Sequence, residues 1–212
     1  MKMAAVATAA VGAYALGWLS RQPQVDAARR EASTDGLTRL VNRTGLKRQL
    51  RIRSRRTQPY TIYMLDLNGF KPVNDTWGHR AGDELLRQLG ARLGICFSQH
   101  IVARIGGDEF VVLVDGQQSG PAADVLAAQI ADVVAQPVCV PGSPEPVTLT
   151  AAIGIARAAG AADPRGALHA ADQAMYSSKA RGAPYQITVG TRRITNESPL
   201  NRVRDARPVR VA

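Results

Sequence analysis

Two apolar runs, Ile101–Ile105 and Phe110–Val114, are separated only by Gly106-Gly107-Asp108-Glu109. Gly-Gly between strand-like runs predicts a hairpin, because glycine accepts the positive φ that such a tight turn demands. The bend delivers Asp108 and Glu109 to the start of a buried strand. Tyr60–Leu67 (YTIYMLDL) is a third compact apolar run, and it ends on a carboxylate, Asp66. A carboxylate there is costly unless it meets a cation or strong donors; taken alone, it would simply cap the following turn. If the hairpin neighbours this strand, two or three carboxylates converge at one sheet edge. Like charges that close need a divalent ion, a shared proton or a basic neighbour. Strand residues alternate faces, so Asp108 and Glu109 need not touch the same ion.

The other elements follow from periodicity. Thr44–Arg56 reads as a basic helix ended by Pro59, with Thr34 or Asp35 capping a turn before it. Phe70–Trp77 reads as a short helix, and Ala81–Phe97 as an amphipathic one carrying Leu85, Leu86, Leu89, Leu93 and Phe97. Ala122–Ala135 is a further helix. Pro137–Val140 and Val147–Ile155 read as strands around a Pro/Gly loop. Pro164–Ala180 is the last long helix, with Leu168, Ala171, Met175 and Tyr176 on its apolar side, and Gln186–Val189 closes the sheet. Strands and helices alternate around one central sheet, which predicts an α/β domain of two or three layers.

Composition divides the chain rather than naming its work. The net charge of +10 points to an anionic partner, whether nucleotide, nucleic acid or lipid headgroup. Part of the excess sits in residues 191–212, where six arginines face two acids without an apolar period, the pattern of a mobile tail. Cys96 and Cys139 lie in apolar surroundings and read as free core thiols. Residues 3–19 carry no charge; Lys2 precedes them and Arg21, Arg29 and Arg30 follow. That asymmetry favours one membrane anchor within residues 1–20 and a cytosolic C-terminal side, against a cleaved signal peptide or a soluble alanine-rich helix. Residues 21–32 form a helix-permissive connector, and residues 33–190 the globular domain.

Basic and small groups gather around the acids: Lys71 after Asp66, Arg104 before the glycines, Lys179 at the end of the last helix, and Gly69, Gly106 and Gly107 where backbone would approach phosphate. Acids, cations and glycines together fit metal-assisted phosphoryl or nucleotidyl transfer. Oxygen-only ligation suits Mg²⁺, with Mn²⁺ as an alternative.

Gly106–Phe110 reads GGDEF. It follows DGLTRLVNR at Asp35–Arg43 and LDLNGFKPVNDTWGHRAGDELL at Leu65–Leu86, and it precedes ADQAMYSSKARG at Ala171–Gly182. All four blocks, in order and spacing, resemble the GGDEF diguanylate cyclases. The resemblance implies an α/β (α+β) domain with a central, mostly antiparallel sheet flanked by helices, of the nucleotidyl-cyclase and polymerase-palm kind. It implies condensation of two GTP into cyclic dimeric GMP by a two-fold homodimer. Asp66 and Asp108 would ligate metal through side chains and Leu67 through its carbonyl. Asp108 would also act as the acid–base group, and Glu109 would assist metal binding or deprotonation. Asn74 and Asp83 would read the guanine edge, with His79 a further substrate contact. Lys71 and Arg104 would steady phosphate charge, Gly106 and Gly107 would lie against the substrate, and Lys179 would hold the triphosphate.

Three places depart from that pattern. Asn68 stands where many members have Asp. Ala183 and Pro184 follow Gly182 where a basic residue is usual. Phe97-Ser98-Gln99-His100 occupies the place of the family's Arg-x-x-Asp product-inhibition site. Two other readings remain: a receptor that binds GTP or cyclic dimeric GMP without turnover, and a nucleic-acid binder resting on charge alone. Degenerate receptors lose the motif's acids or glycines, and this chain keeps them.

Overall fold

The structure, a computed structural model, describes residues 31–191 except 57, 119, 161–162 and 182–184; of 181 and 185–191 it describes the backbone alone. The expected anchor at residues 3–19 and the Arg-rich tail from residue 192 onward lie outside the described residues, as do Ala183 and Pro184. Among the described residues, no helix is long and apolar enough to cross a membrane.

In chain order the elements are α1 (Arg43–Ser54), β1 (Tyr60–Asn68), α2 (Phe70–Trp77), α3 (His79–Cys96), β2 (Ile101–Gly106), β3 (Glu109–Asp115), α4 (Gly120–Val134), β4 (Thr150–Ala158), α5 (Pro164–Arg181) and β5 (Tyr185–Thr191). The strands form one sheet in the order β2-β3-β1-β4-β5. β1 lies at its centre, antiparallel to both β3 and β4. β5 alone runs parallel to its neighbour β4, which α5 makes possible as the crossover helix. The expected α+β class, with a mostly antiparallel sheet, is therefore the observed one.

The period of two in β1 sorts its side chains into two cores. Tyr63, Leu65 and Leu67 pack with α3 leucines Leu85, Leu86, Leu89 and Leu93 and with α4 residues Ala127 and Ile130. Tyr60, Ile62 and Met64 pack on the other side with Leu46 and Leu50 of α1 and with Ala167, Ala171 and Met175 of α5. Helices thus cover both faces, and the domain has three layers. α5 sits tightly on β4 because position 154 has no Cβ; one added there would collide with the backbone of Ala171 and Met175.

Several sequence expectations need correction. Cys96 and Cys139 are free but exposed, not core thiols. Cys96 ends α3 beside Ile95, itself 76% exposed, and shares its solvent-facing side while Phe97 turns into the core. Tyr176 is 70% exposed. Ala171 and Met175 keep the buried stripe, and residue 176 is turned about 100° away from it around the helix. The run expected as a strand from Val147 pairs through Val138–Val147 as an isolated bridge, and β4 begins at Thr150. Pro137, Pro141, Pro144 and Pro146 withhold the backbone donors a ladder there would need. β1 also runs two residues past Asp66, to Asn68.

Candidate active site

The carboxylates meet where β1 and β3 end their pairing. In the antiparallel register Asp66 lies directly opposite Glu109, so both side chains project on the face covered by α1 and α5. Asp108 occupies the turn before β3, and its carbonyl accepts from the Leu67 N–H at 3.3 Å. Gly107 takes a φ of +27 in that turn, a conformation that favours glycine. The register thus sets Asp66 against Glu109, with Asp108 in the adjoining turn.

Charge around these acids is only partly balanced. Lys179 of α5 donates to Asp66 Oδ1 at 2.6 Å. Arg43 of α1 places its guanidinium 3.7 Å from Glu109 Oε2 and donates through Nε to the Ile105 carbonyl at 2.7 Å. Burial pushes the Glu109 carboxyl above its ordinary value of 4.5; Arg43 opposes the rise, while Asp66, Asp108 and Asp172 add to it. Such crowding is what a divalent ion would relieve. Among the described residues no three His, Cys, Asp or Glu side chains form a ready metal cluster. Asp66 facing Glu109 beside Asp108 offers oxygen donors alone, the chemistry a hard cation would take with nucleotide phosphates and water completing its shell.

Arg104, ahead of the glycines, is tied to the turn and to Asp35. Its guanidinium pairs with Asp35 at 3.2 Å and donates to the Gly107 carbonyl at 2.9 Å. Asp35 also accepts from the Thr38 N–H and hydroxyl at 2.8 and 2.7 Å. Thus Arg104 braces the turn, tying it to the segment before α1. Backbone bonds from Val41 to Val102 and from Arg104 to Val41 lay that segment alongside β2.

Asn74 and Asp83 are carried by α2 and α3, joined at Gly78, whose φ of +80 permits the sharp change of direction. Gly82 brings the two helices together: a Cβ there would run into the Asn74 amide, with Asn74 Cγ at 2.9 Å and Phe70 Cζ at 3.1 Å. His79 opens α3, and Lys71 lies near the start of α2; both are exposed. No ion pair of Lys71 occurs among the described residues. Sequence reasoning missed Arg43 and Asp172 and gave Asp35 only a capping role. Asp35 and Arg43 do lie within the first quoted block.

A family model described as "Diguanylate cyclase, GGDEF domain" matches residues 32–184. The chain belongs to this GGDEF family. Diguanylate cyclase DosC of Escherichia coli K12 is 32% identical over 169 residues, which cover 77% of this chain and 36% of that protein. The bifunctional diguanylate cyclase/cyclic di-GMP phosphodiesterase MucR of Pseudomonas aeruginosa is 36% identical over 154 residues, 70% of this chain and 22% of that one. The GGDEF chain thus spans about a third or less of the length of these curated relatives. Among solved structures, the coiled coil and GGDEF domain of DgcB from Caulobacter crescentus, in complex with c-di-GMP, matches with a TM-score of 0.69 at 26% identity. That match covers 86% of this chain and 98% of that one.

Proposed function

We propose that the protein is a diguanylate cyclase that condenses two GTP into cyclic dimeric GMP and two pyrophosphates. The observation that carries this reading is the register that sets Asp66 against Glu109, with Asp108 at the adjoining turn. On this reading Asp66, Asp108 and the Leu67 carbonyl hold Mg²⁺, or Mn²⁺ in its place. When bound, the ion polarises the α-phosphate and lowers the pKa of the attacking hydroxyl.

The 3′-oxygen of one GTP forms the new bond to the α-phosphorus of the other, the bond to pyrophosphate breaks, and Asp108, assisted by Glu109, takes the hydroxyl proton. Repeating the step in the opposite sense closes the ring. One domain holds one GTP, so two copies meet about a two-fold axis. Asn74 and Asp83 supply the amide and carboxylate that satisfy guanine's O6, N1–H and N2–H; His79 contacts substrate beside them. Gly106 and Gly107 let the turn approach the nucleotide, and Lys71 steadies phosphate. Lys179, which donates to Asp66, holds the triphosphate. Arg104 acts through the turn it braces.

Phe97, at the first position of the usual inhibition motif, is buried in the core. At the fourth position stands His100, whose pKa is lowered, chiefly by burial and against the pull of Asp115. We infer a cyclase without that feedback site. GTP as substrate places the domain in the cytoplasm, with residues 3–19 as the proposed tether. The test is product formed from GTP and Mg²⁺ by wild type and by Asp108→Asn. Product from wild type alone supports the reading. No product from wild type, or equal product from both, overturns it.

A further inference from the structure

The Gly106–Glu109 turn is gripped by two arginines, one on each flank. Arg104 holds the Gly107 carbonyl, and Arg43 holds the Ile105 carbonyl and stands beside Glu109. Arg43 has a firm mount. It opens α1 directly after Asn42, whose side chain caps the helix by accepting from the Gly45 N–H at 2.9 Å. The Asn42 amide also donates to the Ala32 and Thr34 carbonyls at 3.0 and 3.1 Å. On its other side, Val41 bonds to β2.

The two glycines of the turn serve different ends. Gly107 is needed for its φ and has open space around it. Gly106 has no positive φ, yet a Cβ there would lie 3.2 Å from Glu109 Oε2 and 3.3 Å from Arg43 Nη2. Its bare backbone is what lets the arginine and the glutamate approach each other. A cavity of about 280 Å³ opens beside them, with Lys47, His169 and Asp172 also in its lining.

We propose that Arg43 is a positioning residue for the acidic turn: by bridging the Ile105 carbonyl and the Glu109 carboxylate, it holds Glu109 against Asp66 in the arrangement that receives the divalent ion. The proposal rests on the metal-site reading given above. The Arg43 side chain is 60% exposed, so the pair adds little to stability and its contribution lies in orientation.

The test is a double-mutant cycle in the full chain with Arg43→Gln, Glu109→Gln and the double variant, and with Arg43→Lys beside it. Two readouts are taken: the Mg²⁺ concentration that half-saturates turnover, and the Mg²⁺ dependence of binding a non-hydrolysable GTP analogue. Arg43→Gln should raise both by about tenfold at unchanged Tm. The double variant should be no worse than Glu109→Gln alone, and Arg43→Lys should recover part of the loss, since an ammonium meets the carboxylate but cannot fork to Ile105. Losses that multiply, or an Arg43→Gln protein that matches wild type, overturn the proposal while leaving the cyclase reading intact. A wild type that binds Mg²⁺-nucleotide without turnover sinks the cyclase reading, and the binding cycle then decides Arg43 by itself. A wild type with neither removes the metal site and the proposal with it.

Discussion

At Gly82 a single hydrogen in place of a methyl leaves room for the Asn74 amide. Gly82→Ala would swing that amide aside, a small movement of a side-chain end, so the helices survive while the guanine loses a partner. We expect KM for GTP to rise about 10- to 100-fold with Tm nearly unchanged, as read by steady-state kinetics and thermal melts. The Asp35–Arg104 pair makes a different kind of prediction. Burial pulls the Asp35 carboxyl upward, but the Thr38 hydroxyl and N–H and the Arg104 guanidinium outweigh it and hold the group below its ordinary 3.8. A carboxyl whose folded pKa is depressed contributes stability that is complete above 3.8 and lost as pH falls through the lower folded value. Arg104→Ala should therefore cost about 1–3 kcal/mol at pH 7. Urea denaturation should show its deficit against wild type narrowing below pH 3.8.

Elements set where these residues stand. α5 brings Lys179 to Asp66 and Asp172 towards Glu109, and its seat on β4 depends on Gly154. A methyl at 154 meets helix backbone, which has no free end to move, so Gly154→Ala should lift α5 off the sheet. The expected cost is about 1–3 kcal/mol in chemical denaturation, with turnover falling as well because Lys179 moves with the helix. The strands were legible from sequence because their signals are local: a period of two in Tyr60–Leu67 and Gly-Gly between two apolar runs. The runs 137–140 and 147–149 that flank the Pro/Gly loop were overread as strand because an apolar run alone does not count missing backbone donors. Cys96 and Cys139 were misplaced for a related reason: apolar neighbours in sequence do not say which side of an element is covered.

For the whole molecule, the catalytic edge is assembled from parts distant in sequence. Asp66 and the hairpin acids could be matched from their own motifs. The pairing of Arg43 with Glu109 and of Asp35 with Arg104 depends on how the segment before α1 lies beside β2, and no local pattern announces that docking. Hence the acids were found, while Arg43 and the contact of Arg104 with Asp35 were not. The central claim is that carboxylates from β1 and from the β2–β3 turn share one divalent ion. Mn²⁺ binding followed by electron paramagnetic resonance, with a non-hydrolysable GTP analogue present, tests it most directly in wild type, Asp66→Asn and Asp108→Asn. The account predicts one Mn²⁺–nucleotide signal per domain in wild type and its loss in both variants. Undiminished Mn²⁺ binding in either variant would contradict a shared ion.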